Sequence, residues 1–142
     1  MSAVVALAVI LPLLASMVAL GVRHLDTLRD MVTLGTLTAV SVMSVALLVH
    51  VEANGTVAVR LGGWDPELGI VLVADMVAAL VLAVAMITIL LVEVFAIGQR
   101  GSVSGAEPNI VGPMMLVLTA GVALSILTGD LFTLFVAFEL ML

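Results

Sequence analysis

The chain has 142 residues, of which 64% are hydrophobic and 10% charged, with a formal net charge of −6 and a mean hydropathy of +1.44. A water-facing domain carries about a quarter charged residues, so the composition excludes a soluble globule and selects lipid as the natural solvent. Four arginines and no lysine exclude a basic surface for nucleic acid, and the lack of cysteine excludes disulfides, iron–sulfur ligation and thiolate metal sites.

The first apolar run predicts a helix over 3–22. No positive segment precedes it, and ALGV is a poor cleavage site, so it reads as a retained helix and not a signal peptide. Pro12 inside it is tolerable in a membrane helix, where neighbours re-satisfy the backbone. RHLDTLRD (23–30) reads as a polar turn. A second helix is predicted over 31–51, with Thr33, Thr36, Thr38, Ser41 and Ser44 able to bond to carbonyls of their own or a neighbouring helix.

The longest polar stretch follows, EANGTVAVRLGGWDPEL (52–68). Asn54-Gly55, Gly62-Gly63 and Asp65-Pro66 are turn signals, and TVAVRL alternates as a strand does. We read an external β-hairpin-like loop on the membrane, with Trp64 at the interface. A third helix is predicted over 69–97. At about 1.5 Å per residue it exceeds a core of about 30 Å, and so tilts or protrudes. The Gly/Ser/Pro-rich stretch after it reads as a loop, and a fourth helix is predicted over 110–128. A tight Thr128-Gly129-Asp130 turn leads into a fifth, over 129–142.

That last segment is shorter than the roughly 20 residues of a span. Two alternatives stay open: the sequence is a fragment, or another chain covers the end, because a free carboxylate in mid-bilayer is costly. The fold class expected is thus an all-α integral membrane domain occupying 1–142, with four complete transmembrane helices and a truncated fifth. With an external N-terminus, Arg23, Arg29 and Arg100 fall inside and only Arg60 outside, the arrangement that the positive-inside rule favours.

Ionisable residues within spans are costly and mark candidate sites. Glu139 lies about ten residues into the fifth helix, about 15 Å deep, in the middle of the core. Burial there favours the protonated form and a nearby cation the charged one, so such a carboxyl can take and release protons. Asp75, about six residues into the third predicted helix, is a candidate for the mouth of a proton path or for an interhelical hydrogen bond. Glu93, near the other end of that helix, reads more simply as snorkelling or pairing with arginine. His24 and His50 fall at opposite faces and read as interfacial anchors, not a metal site. Asp130 complements the dipole of the fifth helix. The nine methionines are scattered and fit helix packing. No nucleophile–base spacing and no phosphate-cradling loop occurs, so neither an enzyme nor a cofactor is expected.

Two passages carry a family resemblance. LTGDLFTLFVAFELML (127–142) resembles the fifth-helix pattern of antiporter-like membrane subunits, most of all the D-type subunit of the Mrp-type multisubunit Na+/H+ antiporters, and also the membrane arm of respiratory complex I. LGGWDPELGIVLVA (61–74), followed by Asp75, resembles that family's passage from hairpin to third helix, and AGVALS falls between the two in order. The resemblance implies the N-terminal part of a subunit of about fourteen helices with two inverted repeats. It implies proton translocation coupled to Na+ or another monovalent cation, with Glu139 as the proton-relay carboxyl and Asp75 as a possible helper. It implies Mrp A, B, C, E, F and G type subunits as partners, beside lipid, in a bacterial or archaeal cell membrane. In that family the glutamate pairs with a lysine two helices later, and this chain has no lysine. The alternatives are a proton-pumping subunit of an NADH:quinone oxidoreductase-type complex, or a structural fragment in which Glu139 only pairs helices.

Overall fold

The computed structural model describes residues 1–60, 69–99 and 110–142. Within them the order is α1 (Ser2–Gly21), α2 (Asp26–Asn54), β1 (Val57–Arg60), β2 (Val71–Ala74), α3 (Met76–Gln99), α4 (Val111–Leu127) and α5 (Leu131–Met141). The helices α1, α2 and α3 are long and apolar enough to cross a membrane, whereas α4 and α5 are apolar but shorter.

Two helix starts are displaced by five residues or more from expectation, each for a physical reason. The second helix begins at Asp26 and not at 31. The supposed polar turn is its first turn: Asp26 offers a carboxylate to the positive end of the helix, and the Arg29 guanidinium donates to Asp26 at 2.9 Å and to Asp30 at 3.0 Å. The third helix begins at Met76 and not at 69, because VLVA (71–74) is a strand. Its β-branched residues pair antiparallel with the alternating VAVR strand, Val57 opposite Ala74 and Arg60 opposite Val71. The shortened helix has 24 residues, which is about 36 Å, and the excess length expected for it is largely gone. The strand expected within 52–68 is present as β1. The expectations for Gly62-Gly63, Trp64 and Asp65-Pro66, and for 100–109, lie outside the described residues.

The four longer helices pack as successive antiparallel neighbours: α1 lies against α2 and α4, α2 against α3, and α4 also against α3 and α5. Their contact faces are periodic. On α2 the buried side chains are Arg29, Thr33, Leu37, Val40, Ser41, Ser44, Leu47 and Val51, and on α3 they are Ala79, Leu82, Ala83, Met86 and Glu93. Both sets follow three- and four-residue steps, so each helix turns one stripe inward and leaves apolar side chains such as Val42, Val84 and Phe95 on its outside. Lipid is no less apolar than the core, so close fit does the work that the hydrophobic effect does in water. Buried Ala8, Ala15 and Ala19 let α1 approach its neighbours. The Ser41 hydroxyl donates to the Met86 carbonyl at 3.1 Å and fixes the level of α2 against α3. Val57, Val59, Leu72 and Ala74 close the core at the hairpin end.

Candidate functional site

The candidate site is built on α5 and on the turn that launches it. That turn is a third line of backbone beside the hairpin. Thr128 bridges Leu72, and the Gly129 N–H donates to the Val71 carbonyl at 2.8 Å. A side chain at 129 would press on Val71 and Val73, since a Cβ there would lie 3.1 Å from Val73 Cγ2 and 3.3 Å from the Val71 oxygen. Thr128 Oγ1 accepts from the Asp130 N–H at 3.3 Å and donates to the Asp130 carbonyl at 3.1 Å. Asp130 then caps α5, its Oδ1 accepting from the Thr133 N–H at 2.7 Å. Hydrogen bonds from Thr133 hold the Asp130 carboxyl below its ordinary pKa, against a smaller opposing effect of burial. Within the TGD turn, Thr128 is thus the clasp, Gly129 permits the close approach and Asp130 is the cap.

The seating of α5 is tight. A Cβ on Gly121 of α4 would lie 2.7 Å from Met141 Cγ and 3.1 Å from the Ala137 carbonyl oxygen. With Thr133 and Ala137 buried against the bundle, Glu139 falls on the side of α5 turned away from α4, and it is exposed. It lies eight residues beyond Leu131, about 12 Å along the helix. Its neighbours on the exposed surface are aromatic and aliphatic: Phe132, Phe135, Val136 and Phe138. The carboxyl is therefore set within a broad apolar surface that the described part of the chain leaves uncovered.

Asp75 has a different setting. It is exposed at the start of α3 and not one and a half turns inside it, and its Oδ1 accepts from the Ala78 N–H at 2.7 Å. Asp75 and Asp130 thus cap two helices that both start at β2, at one end of the bundle. The structure does not bring Asp75 to the depth of Glu139. His24 and His50 lie at opposite ends of α2, His24 near Arg23 and His50 3.2 Å from Asn54. Among the described residues no three His, Cys, Asp or Glu side chains gather as a metal site would need.

Sequence reasoning undervalued Glu93 and Arg29. Glu93 is 1% exposed and Arg29 4%. The signal was present in the spacing: Glu93 continues the Ala79, Leu82, Met86 stripe two turns further, and Arg29 begins the stripe that runs through Thr33 and Leu37. Apolar composition and nearby polar ends made both look like boundary residues.

No family model matches the sequence. In sequence, the chain is 30% identical over 136 residues to the protein named putative antiporter subunit mnhD2 of Staphylococcus aureus strain JH9, a match covering 96% of this chain and 27% of that one. The protein of the same name from strain Newman matches equally. In structure, it superposes on a chain of the Mrp complex from Dietzia sp. DQ12-45-1b with a TM-score of 0.89 and 33% identity, covering 99% of this chain and 25% of that one. A chain of the membrane-bound sulfane sulfur reductase, an archaeal respiratory membrane complex, superposes with a TM-score of 0.79 and 26% identity over 97% of this chain and 28% of that one. The chain spans about a quarter of the length of the relatives it matches. In sequence the chain is thus similar to an antiporter subunit, and in fold to a chain of an Mrp complex and to a chain of a respiratory membrane complex.

Proposed function

We propose that the chain is part of a subunit of a monovalent cation/proton antiporter and that Glu139 carries protons at mid-membrane. The observation that carries this reading is the match to antiporter-subunit and Mrp-complex chains over nearly all of these residues. All five helices cross or enter the membrane in this reading, and the N-terminus is external. Other subunits of the complex cover the outer faces, and Na+ is the first cation to test.

Glu139 suits the role by chemistry. It is an ionisable side chain exposed on an apolar helix face, where a partner helix or water can reach it. The chain has no lysine, and its four arginines lie at 23, 29, 60 and 100. The counter-charge to Glu139 therefore comes from a helix outside these residues. Asp75, at the hairpin end, is available to receive protons there while it caps α3.

The test is Glu139→Gln in the assembled complex, read as cation-driven proton flux in everted membrane vesicles. Loss of a proton-carrying carboxyl lowers flux by about a hundredfold or more, and Glu139→Asp restores part of it. Wild-type flux in the Gln variant would contradict the assignment. The likeness to a respiratory membrane complex favours a second reading, a proton-pumping subunit driven by electron transfer. In that case proton flux follows an electron donor and ignores added cation.

A further inference from the structure

The inner stripes of α2 and α3 both end on charge, and at the same end of the bundle. Ser41 and Met86 are level, as their hydrogen bond shows. Counting away from the hairpin, Glu93 lies seven residues on along α3, about 10.5 Å, and Thr33 eight residues on along α2, about 12 Å. The two are therefore near one level. Gly112 of α4 joins them there, since a Cβ on it would lie 3.0 Å from Thr33 Oγ1. Arg29 follows one turn further, its carbonyl accepting from the Thr33 hydroxyl at 2.9 Å. Glu93 and Arg29 both belong to the buried stripes of these packed helices.

A carboxyl on an outer face at this depth could snorkel. Glu93 is on the inner face, fully buried, and about 9 Å from the end of α3 at Gln99. Taking a carboxylate out of water is expensive, and a glutamate is kept in such a place where its charge or its proton is used. Its level also matters. Glu139 lies about 12 Å below the start of α5, and Glu93 about 25 Å below the start of α3, both starts being at β2. The two carboxyls are thus staggered along the bundle axis, with α4 packed against both helices between them. The buried hydroxyl of Thr119 on α4 stands at an intermediate level, close to that of Glu139.

We propose that Glu93 is a second proton-carrying carboxyl, serving the end of the bundle opposite the hairpin, where buried Arg29, paired with Asp26 and Asp30, ends the facing stripe of α2. The proposal rests on the antiport reading but not on the role of Glu139. A proton from water on that side binds the Glu93 carboxylate and leaves it, by way of water or hydroxyls, toward the middle of the membrane. The charged and titratable groups on the helices packed against α3 are all on α2: Asp26, Arg29 and Asp30 at this end, and His50 and Glu52 at the hairpin end; α4 has none. In sequence, Arg100 and Glu107 follow α3 and lie outside the described residues.

The experiment compares Glu93→Gln, Glu93→Asp and Glu139→Gln in the complex from native membranes, measuring assembled complex and cation-driven proton flux per complex across pH. Expected for Glu93→Gln is normal assembly with flux reduced by about tenfold or more. Expected for Glu93→Asp is recovered flux with a displaced pH profile. A Gln variant with wild-type flux and profile would overturn the proposal. If Gln prevents assembly, the Asp variant decides: a displaced profile supports it, and an unchanged profile or failed assembly assigns Glu93 to structure. Absence of cation-driven flux in the wild type would instead defeat the antiport reading itself, and Glu139→Gln alone losing flux would leave that reading standing without Glu93.

Discussion

The Gly129 N–H and the Val71 carbonyl meet at 2.8 Å, and this one bond ties the start of α5 to the hairpin that precedes α3. The helix that carries Glu139 is therefore not hung from a free loop. Its first turn is registered against β2, and its body is seated on α4 at Gly121. Position and tilt of Glu139 follow from these two contacts.

Gly121→Ala tests the second contact. The added methyl meets Met141 and the Ala137 carbonyl below ordinary contact distance, so α5 must shift. Overpacking of this kind costs about 1–3 kcal/mol. The expected result is a lower midpoint of thermal unfolding for the purified complex and a partial loss of flux. An unchanged midpoint would show that α5 is not seated as described.

Asp130 tests the cap, with a defined dependence on pH. Asp130→Ala removes the acceptor for the Thr133 N–H, a loss of about 1 kcal/mol. Because the folded carboxyl titrates below its ordinary value of 3.8, its contribution is fully present above the unfolded pKa. It is lost as pH falls through the lower folded pKa. The stability gap between wild type and variant should stay constant from neutral pH down to about 4 and shrink below that. A gap that widened on acidification would contradict the assigned hydrogen bonds.

Ser41→Ala tests the register of α2 against α3. It removes the hydroxyl that donates to Met86, a loss of about 0.6 kcal/mol in a membrane bundle. Bulk is the sharper probe: Ser41→Leu forces a larger side chain into a buried site and should separate α2 from α3, seen as loss of a crosslink engineered between them. A Leu variant that crosslinks as wild type does would refute this packing.

Much of this was readable from residue order. The α1 run, the alternating VAVR strand, the start of α4 near Ile110 and an acidic Asp130 at the start of α5 follow from hydropathy, period-two alternation and the helix dipole. The VLVA strand was not readable because four apolar residues before an apolar helix have the same hydropathy as the helix. Only pairing with Val57–Arg60 separates them. That pairing moved Asp75 from the interior of α3 to its cap. Asp26–Asp30 looked like a loop because its polar residues satisfy one another around Arg29, a relation of spacing and not of composition. The placement of Glu139 on an apolar helix was readable from its run. Its orientation away from α4 depends on Gly121, which nothing in the sequence sets apart from other glycines.

The most direct test of the central claim is proton release on cation addition in everted vesicles from cells with and without this chain, carrying the rest of the complex. A respiration-driven pH gradient is established, and Na+ is added. Vesicles containing the chain should lose part of the gradient on addition of Na+ or another monovalent cation, and those lacking it should not. A gradient that responds identically in both preparations to every cation tested would contradict the account.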